Sequence, residues 1–250
     1  MKISQKNEYI EYENLDSLRK IFGYFEDEDG VYHTFLRGES RYHPKLSASY
    51  FRNGETSIKA CEIFGLLYKK ERNPYREALF GCFLRDTIYP SEAPIELIYL
   101  IGLQHEGIST PLLDLSVDIY APLYFACKDH NTKSDMEDGL IYKLDDFNDD
   151  SDIKCNIFNA NKIITKDDRA RKQQSAFALT HSYSEEDGLV FYDICNSNCS
   201  VTGWKIHGED KIKILEDVKK ELKTEDLDSY FGLNKGLLSR IYGKLLSPNR

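Results

Sequence analysis

Two blocks far apart in the chain constrain it most, because both make sense only if a fold brings them together. The first is Phe35-Leu36-Arg37-Gly38-Glu39-Ser40, an apolar run closing on Arg-Gly. The second is Gln104-His105-Glu106-Gly107-Ile108-Ser109-Thr110-Pro111-Leu112-Leu113-Asp114, which leads into Ala121-Pro122-Leu123-Tyr124-Phe125-Ala126. A guanidinium at a strand end can sit beside an anion, and a following glycine allows close backbone approach. Ser109 and Thr110, after the Gly107 turn, can bring two hydroxyls to the same cleft. Together the blocks predict a pocket for a phosphate-bearing ligand.

The pattern around these blocks predicts an α+β domain. Leu15, Leu18 and Phe22 share one face of a helix over 14–22. After an Asp27–Gly30 turn, 31–36 reads as a strand that Arg37 ends. Amphipathic spacing predicts helices over 57–70 and 74–87, with Pro74 in a first turn, and a third from Pro94 that Gly107 closes. Gln104 and His105 then lie at its C-terminus. Residues 109–115 read as extended, and Asp118 as the cap of a helix reaching Lys128. Strands are predicted at 140–144, 175–180 and 189–194, the last two as a hairpin across 184–188. Helices over 211–223 and 233–246 close the chain. The predicted architecture is a central, split, mostly antiparallel sheet with helices packed around it.

Composition excludes several classes. A formal charge of -9 over 250 residues lacks the broad positive field of a nonspecific nucleic-acid binder, although a local patch could still grip one. Seventeen Tyr and 13 Phe argue against disorder. No apolar run nears the roughly 18 residues that span a bilayer, and no leader is evident, so a cytoplasmic protein with reduced thiols is expected. The six cysteines form no C-x-x-C pair. Cys195 and Cys199, with His207 nearby, would be at most half a metal site, so no metal is expected. Signatures of P-loop NTPases, Rossmann dehydrogenases, zincins and α/β-hydrolases are missing.

The two blocks resemble the FRG domain, named for its Phe-Arg-Gly signature, over 15–222, with a helical extension over 223–250. In that family an early Arg-Gly precedes a Gln-His-x-Gly-x-x-Thr-Arg-Leu-Leu-Asp block and an Ala-Leu-x-Phe-Ala helix. Here Leu36 interrupts the triplet, Pro111 stands where the family has Arg, and Leu115-Ser116 replace Trp-Thr. A later family pattern is similar to Arg169 or Arg171, then Gln173 or Gln174, then Ser175-Ala176-Phe177. The resemblance implies a bacterial or phage-related context and a role in antiviral defence.

More distantly, the order of motifs resembles ADP-ribosyltransferases of the Arg–Ser–Glu class. That resemblance implies an ADP-ribosyltransferase-like fold with NAD as cofactor. Arg37 and Gly38 would hold its diphosphate, and Ser109 and Thr110 would shape the nicotinamide-ribose pocket. Tyr124 or Phe125 would stack on a ring, and His105 would serve as base toward the acceptor. The late Glu of the class is replaced by Gln173 or Gln174, which hydrogen-bond without carrying charge. Glu39, Glu106 or Asp114 would then supply the anion. The implied partners are a macromolecular acceptor, protein or nucleic acid, and an antitoxin or regulatory protein that restrains a toxin-like effector. The alternative is a module that kept the pocket and lost catalysis, sensing a nucleotide or a phage component.

Overall fold

Among the described residues the longest buried run is Ser175–His181, seven consecutive residues with little access to solvent. Such a run suits a strand covered on both faces, since alternate side chains point to opposite sides. In the computed structural model it opens β7 (Ser175–Ser184), around which the sheet is organised. The structure describes residues 3–24, 34–41, 46–65, 67–68, 72–86, 94–105, 107–128, 137–145, 152–159, 172–197 and 199–232.

Nine strands form one mixed sheet among the described residues. They are β1 (Ile3–Ile10), β2 (Phe35–Glu39), β3 (Ser57–Lys59), β4 (Leu113–Ser116), β5 (Gly139–Asp145), β6 (Lys154–Asn159), β7, β8 (Gly188–Tyr192) and β9 (Ser200–Ile206). Their order is β1-β9-β5-β2-β4-β7-β8-β3, with β6 also on β7. Only β1 and β9 run parallel. On one edge of β7, β6 pairs along Ala176–His181. The opposite edge is therefore shared: Ser175–Ala178 pair with β4 and Thr180–Ser184 with β8. β7 is thus the seam of a split sheet.

Helices cover both sides. They are α1 (Leu15–Ile21), α2 (Ala60–Ile63), α3 (Pro74–Asp86), α4 (Ile95–His105), α5 (Tyr120–Cys127), α6 (Lys211–Leu222) and α7 (Leu227–Tyr230). Phe64, Phe80, Leu84, Leu97, Leu100 and Ile101, on or beside α2–α4, join one core with Leu140, Tyr142 and Leu144 of β5. Ile141, from the other face of β5, joins a second core with Leu18, Leu123, Tyr124, Ile214, Val218 and Phe231. A single strand therefore feeds two cores by its period of two. Each fully buried Phe or Leu contributes about 1.5–3 kcal/mol of hydrophobic stabilisation.

Most predicted elements form within a few residues of their expected limits. Asn14 caps α1, its Oδ1 accepting from Ser17 N at 2.9 Å. The N-cap of α5 is Ile119, and Asp118, one residue earlier, accepts from Ala121 N at 3.2 Å through Oδ1. Three expectations are corrected. The strand at Arg37 does not stop there but runs to Glu39, because Gly38 and Glu39 pair with Ile141 and Leu140. The helix predicted over 57–70 begins instead as β3, whose Ile58 pairs with Phe191, and leaves a four-residue turn as α2. Edge pairing to β8 there outweighs helical periodicity. The sheet also gains β1, β6 and β9, which the sequence pattern does not announce: none alternates cleanly between apolar and polar residues. The helix expected over 233–246, Val31–His33, Glu106, Arg169 and Arg171 lie outside the described residues. No described helix is long and apolar enough to cross a membrane.

Candidate functional site

The cleft begins where two strands part company. β2 and β4 pair only at Leu36–Ser116. Beyond that point Arg37 fills the gap between them. Its Nη1 donates to the Asp114 carbonyl at 2.8 Å, and its Nε donates to Glu39 Oε1 at 2.9 Å. The arginine thus replaces a missing rung of the sheet. Its position follows from that pairing, with Nη2 left without a hydrogen-bond partner among the described residues.

A cavity of about 210 Å³ opens at this divergence. Arg37, Asp114, Ser116, Gln104 and Gln173 supply its polar wall, and Leu36, Pro122, Phe125 and Phe177 supply much of the apolar wall. Phe125 is half-buried while Phe177 is buried. Such a mixture of ring-sized apolar walls and a few convergent polar groups is characteristic of small-molecule sites. The volume lies below the roughly 300–1,000 Å³ usual for whole drug-sized ligands, so it suits one end of a larger molecule.

Helix α5 is pressed onto the sheet at two glycines. A Cβ on Gly38 would lie 1.8 Å from the Pro122 carbonyl oxygen, and one on Gly139 would lie 2.3 Å from that of Ala126. Gly38 lines the cavity, but the close approach it permits is to α5. The small residues Ala121, Pro122 and Ala126 are therefore packing requirements, and they aim Phe125 at the cleft.

Thr110 is a buried knot behind the wall. Its N–H donates to Ser49 Oγ at 3.1 Å, and its carbonyl accepts from Tyr50 N at 3.2 Å and Ser49 Oγ at 3.3 Å. Its hydroxyl donates to Gln104 Oε1 and accepts from Leu112 N. Gln104 Nε2 meanwhile donates to the Leu112 carbonyl at 3.4 Å. Both ends of the Gln104 amide are thus committed to the loop, and the block Gln104–Leu112 builds the cavity rather than reaching into it. Ser109 is exposed and lies off the lining.

The far wall comes from the turn before β7. Gln174 adopts φ 47°, a left-handed conformation costly for a non-glycine residue. Its carbonyl accepts from Val117 N at 2.9 Å, and that of Gln173 accepts from Ser116 Oγ at 2.7 Å. Of the two glutamines, Gln173 lines the cavity. Its Nε2 donates to the Phe231 carbonyl at 2.8 Å, which leaves Oε1 as its acceptor.

Behind Ser116 sits Asp118, buried, its carboxyl pushed up to about 7 by desolvation against the opposing pull of Ser116, Ala121 and Tyr120. Ser116 has one hydroxyl proton. When Asp118 carries a proton, it can donate to Ser116 Oγ, 2.9 Å away, while Ser116 donates to Gln173. Asp118 and Ser116 together hold the far wall.

The structure brings together Arg37, Gly38, Phe125 and Gln173 from the predicted set. Tyr124 lies elsewhere: fully buried, it stacks against Phe231 with centroids 4.9 Å apart and donates to Asp228. Gln174 and Thr110 support the walls without lining them, and the His105 side chain lies outside the described residues. Asp114, Ser116, Gln104 and Phe177 also line the cavity. Asp114 and Gln104 were marked by the central block and Phe177 by the late pattern, and strand register brings them together, with Ser116 opposite Ser175 and Asp114 opposite Phe177. Among the described residues no cluster of three or more His, Cys, Asp or Glu could hold a metal ion.

Arg37 at the strand end and the Gln104–Asp114 block meet at one cleft, and both fall within a known family's matched segment. Residues 32–135 match the family model of the FRG domain. The FRG match contains β2, α3, α4, β4 and α5, hence Arg37, Gln104, Asp114 and Phe125, but stops short of Gln173 and Phe177. The cleft is therefore closed by residues beyond the matched segment. No curated protein and no solved structure is a significant match to the chain.

Proposed function

We propose that this FRG-domain protein has an ADP-ribosyltransferase-like fold and transfers ADP-ribose from NAD to a macromolecule, as a toxin-like effector in bacterial antiviral defence or a toxin–antitoxin system. The observation that carries the reading is Arg37. It stands where β2 and β4 diverge, at a ring-sized cavity, with part of its guanidinium unpaired. The fit to NAD is partial by volume: about 210 Å³ takes the nicotinamide-ribose end, and the remainder must leave past Arg37.

NAD supplies an ADP-ribosyl group joined to a good leaving group, and positive charge builds on the ribose as that bond breaks. Arg37 would hold a phosphate through its planar fork. Phe125 and Phe177 would flank the ring. Gln173 Oε1 would accept from a ribose hydroxyl. Of the carboxylates that could replace the missing late Glu, Asp114 alone among those described lines the cavity, whereas Glu39 is held by Arg37. Asp114 would therefore stabilise the developing charge, an effect worth roughly 10²–10³ in rate for comparable groups.

The test is transfer of adenylate-labelled NAD in cell lysate, read after separate protease and nuclease treatment, together with nicotinamide release. Label that survives protease but not nuclease identifies a nucleic-acid acceptor; the reverse identifies a protein. Arg37→Ala should abolish transfer, and Asp114→Asn should abolish transfer while keeping NAD binding. Binding by the wild type without nicotinamide release would replace this reading with that of a nucleotide sensor.

A further inference from the structure

Arg52 lies outside both signature blocks, yet its guanidinium meets the same carboxylate as Arg37. Its Nη2 is 3.5 Å from Glu39 Oε1, the oxygen that already accepts from Arg37 Nε at 2.9 Å. The two arginine nitrogens are therefore no farther apart than these two contacts laid end to end. Glu39 is buried, and its Oε2 has no hydrogen-bond partner among the described residues. One carboxylate thus serves two cations beside the cleft.

The two arginines differ in freedom. Arg37 is 15% exposed, whereas Arg52 is 45% exposed and bonds at the outer limit of hydrogen-bond length. Its backbone is nonetheless fixed. Arg52 sits in a 3-10 turn over Ser49–Asn53, anchored by buried Phe51 and tied to Thr110 through Ser49 and Tyr50. The knot that builds the cavity wall therefore also places Arg52. Burial, and then the charge of Arg37, hold the Arg52 guanidinium below its ordinary pKa; the charges of Glu39 and Asp114 pull the other way. Asp114, whose charge also acts on Arg52, places the cluster beside the cavity.

We propose that Arg52 is a second anion-binding arm, and that Arg37 and Arg52 together grip the two linked phosphates of a diphosphate leaving the cavity. The inference rests on the phosphate-binding reading of Arg37. A lone phosphate needs one fork; two forks sharing a carboxylate suit two joined anionic groups. A purely structural Arg52 would have little to add, since Arg37 already neutralises Glu39.

Inorganic pyrophosphate and inorganic phosphate are the probes, titrated calorimetrically into the full chain. Wild type should bind pyrophosphate more tightly than phosphate. Arg52→Gln should weaken pyrophosphate about 10- to 100-fold, the value of a charge-assisted contact, and leave phosphate within about twofold. Arg52→Lys should fall between, because a point charge lacks the fork. Unchanged melting temperature in Arg52→Gln shows that the fold is retained. Pyrophosphate affinity unaltered by Arg52→Gln but lost in Arg37→Gln would overturn the role of Arg52 and leave Arg37 standing. Wild type binding pyrophosphate no better than phosphate overturns the diphosphate grip. Binding of neither probe overturns the anion reading of Arg37 as well.

Discussion

The two halves of β7 handle buried polarity in opposite ways. Along Ser175–Ala178, against β4, polar groups surround a cavity and satisfy one another through Ser116, Gln173 and Asp118. Along Thr180–Ser184, against β8, Thr180 and His181 are buried away from it, whereas Tyr183 and Ser184 are exposed. His181 Nε2 meets Asn156 Oδ1 at 2.7 Å, but among the described residues its Nδ1 has no partner, and neither does Oε1 of buried Glu77 in α3. The cavity beside Arg37 does not reach these residues. The same strand thus runs from a half arranged around a cleft to a half in which polarity is tolerated for packing.

Steric substitutions should break this contrast most sharply. Gly38→Ala and Gly139→Ala drive a methyl into the backbone of α5 and should each cost about 3–5 kcal/mol or prevent folding, read by chemical denaturation. The knot comes next. Thr110→Val leaves Gln104 Oε1 and Leu112 N without their hydroxyl partner, and should destabilise by about 1–3 kcal/mol while reducing ligand binding through the displaced wall.

The titrating groups sharpen the comparison, because each half carries one and their signs oppose. Asp118 has its carboxyl raised from 3.8 to about 7, so the folded state keeps a proton that the unfolded chain releases between these values. Its contribution to stability is full below about pH 4 and is lost as pH rises through about 7. His181 is lowered from 6.5 to about 4, chiefly by burial and then by Lys154. Its contribution is full above pH 6.5 and is lost as pH falls through about 4. Between those limits the two slopes offset. Asp118→Asn should leave stability rising with pH relative to wild type, His181→Gln should leave it falling, and the double variant should return to the wild-type slope. Equal profiles for all four proteins would show that neither group titrates as its burial implies.

The smallest effect tests an open position. Gly102, in α4, has nothing within 4 Å of the place a methyl would occupy, so Gly102→Ala should stabilise by about 0.5–1 kcal/mol without altering ligand affinity. A loss of stability there would mean that the α4 surface is covered.

Local chemistry made much of this readable from sequence. Asn14 and Asp118 mark helix starts because their side chains satisfy backbone N–H groups a few residues away. Leu15, Leu18 and the apolar positions of α4 repeat at helical spacing. Arg37 stood out because a polar residue at the end of an apolar run needs a destination, and Gln173 because the family resemblance pointed to it. Range, not residue type, hid the rest. Ile58 could serve helix or strand until β8 offered an edge, and β1 and β9 form by pairing across the whole chain. Gly38 carried a signal of close approach without saying to what; only α5 answers that. Thr110 and Arg52 acquire their roles only when Ser49 meets the loop before β4. The residue types that can hold an anion are thus written locally, whereas the gap into which they point exists because two strands that share one pair then diverge.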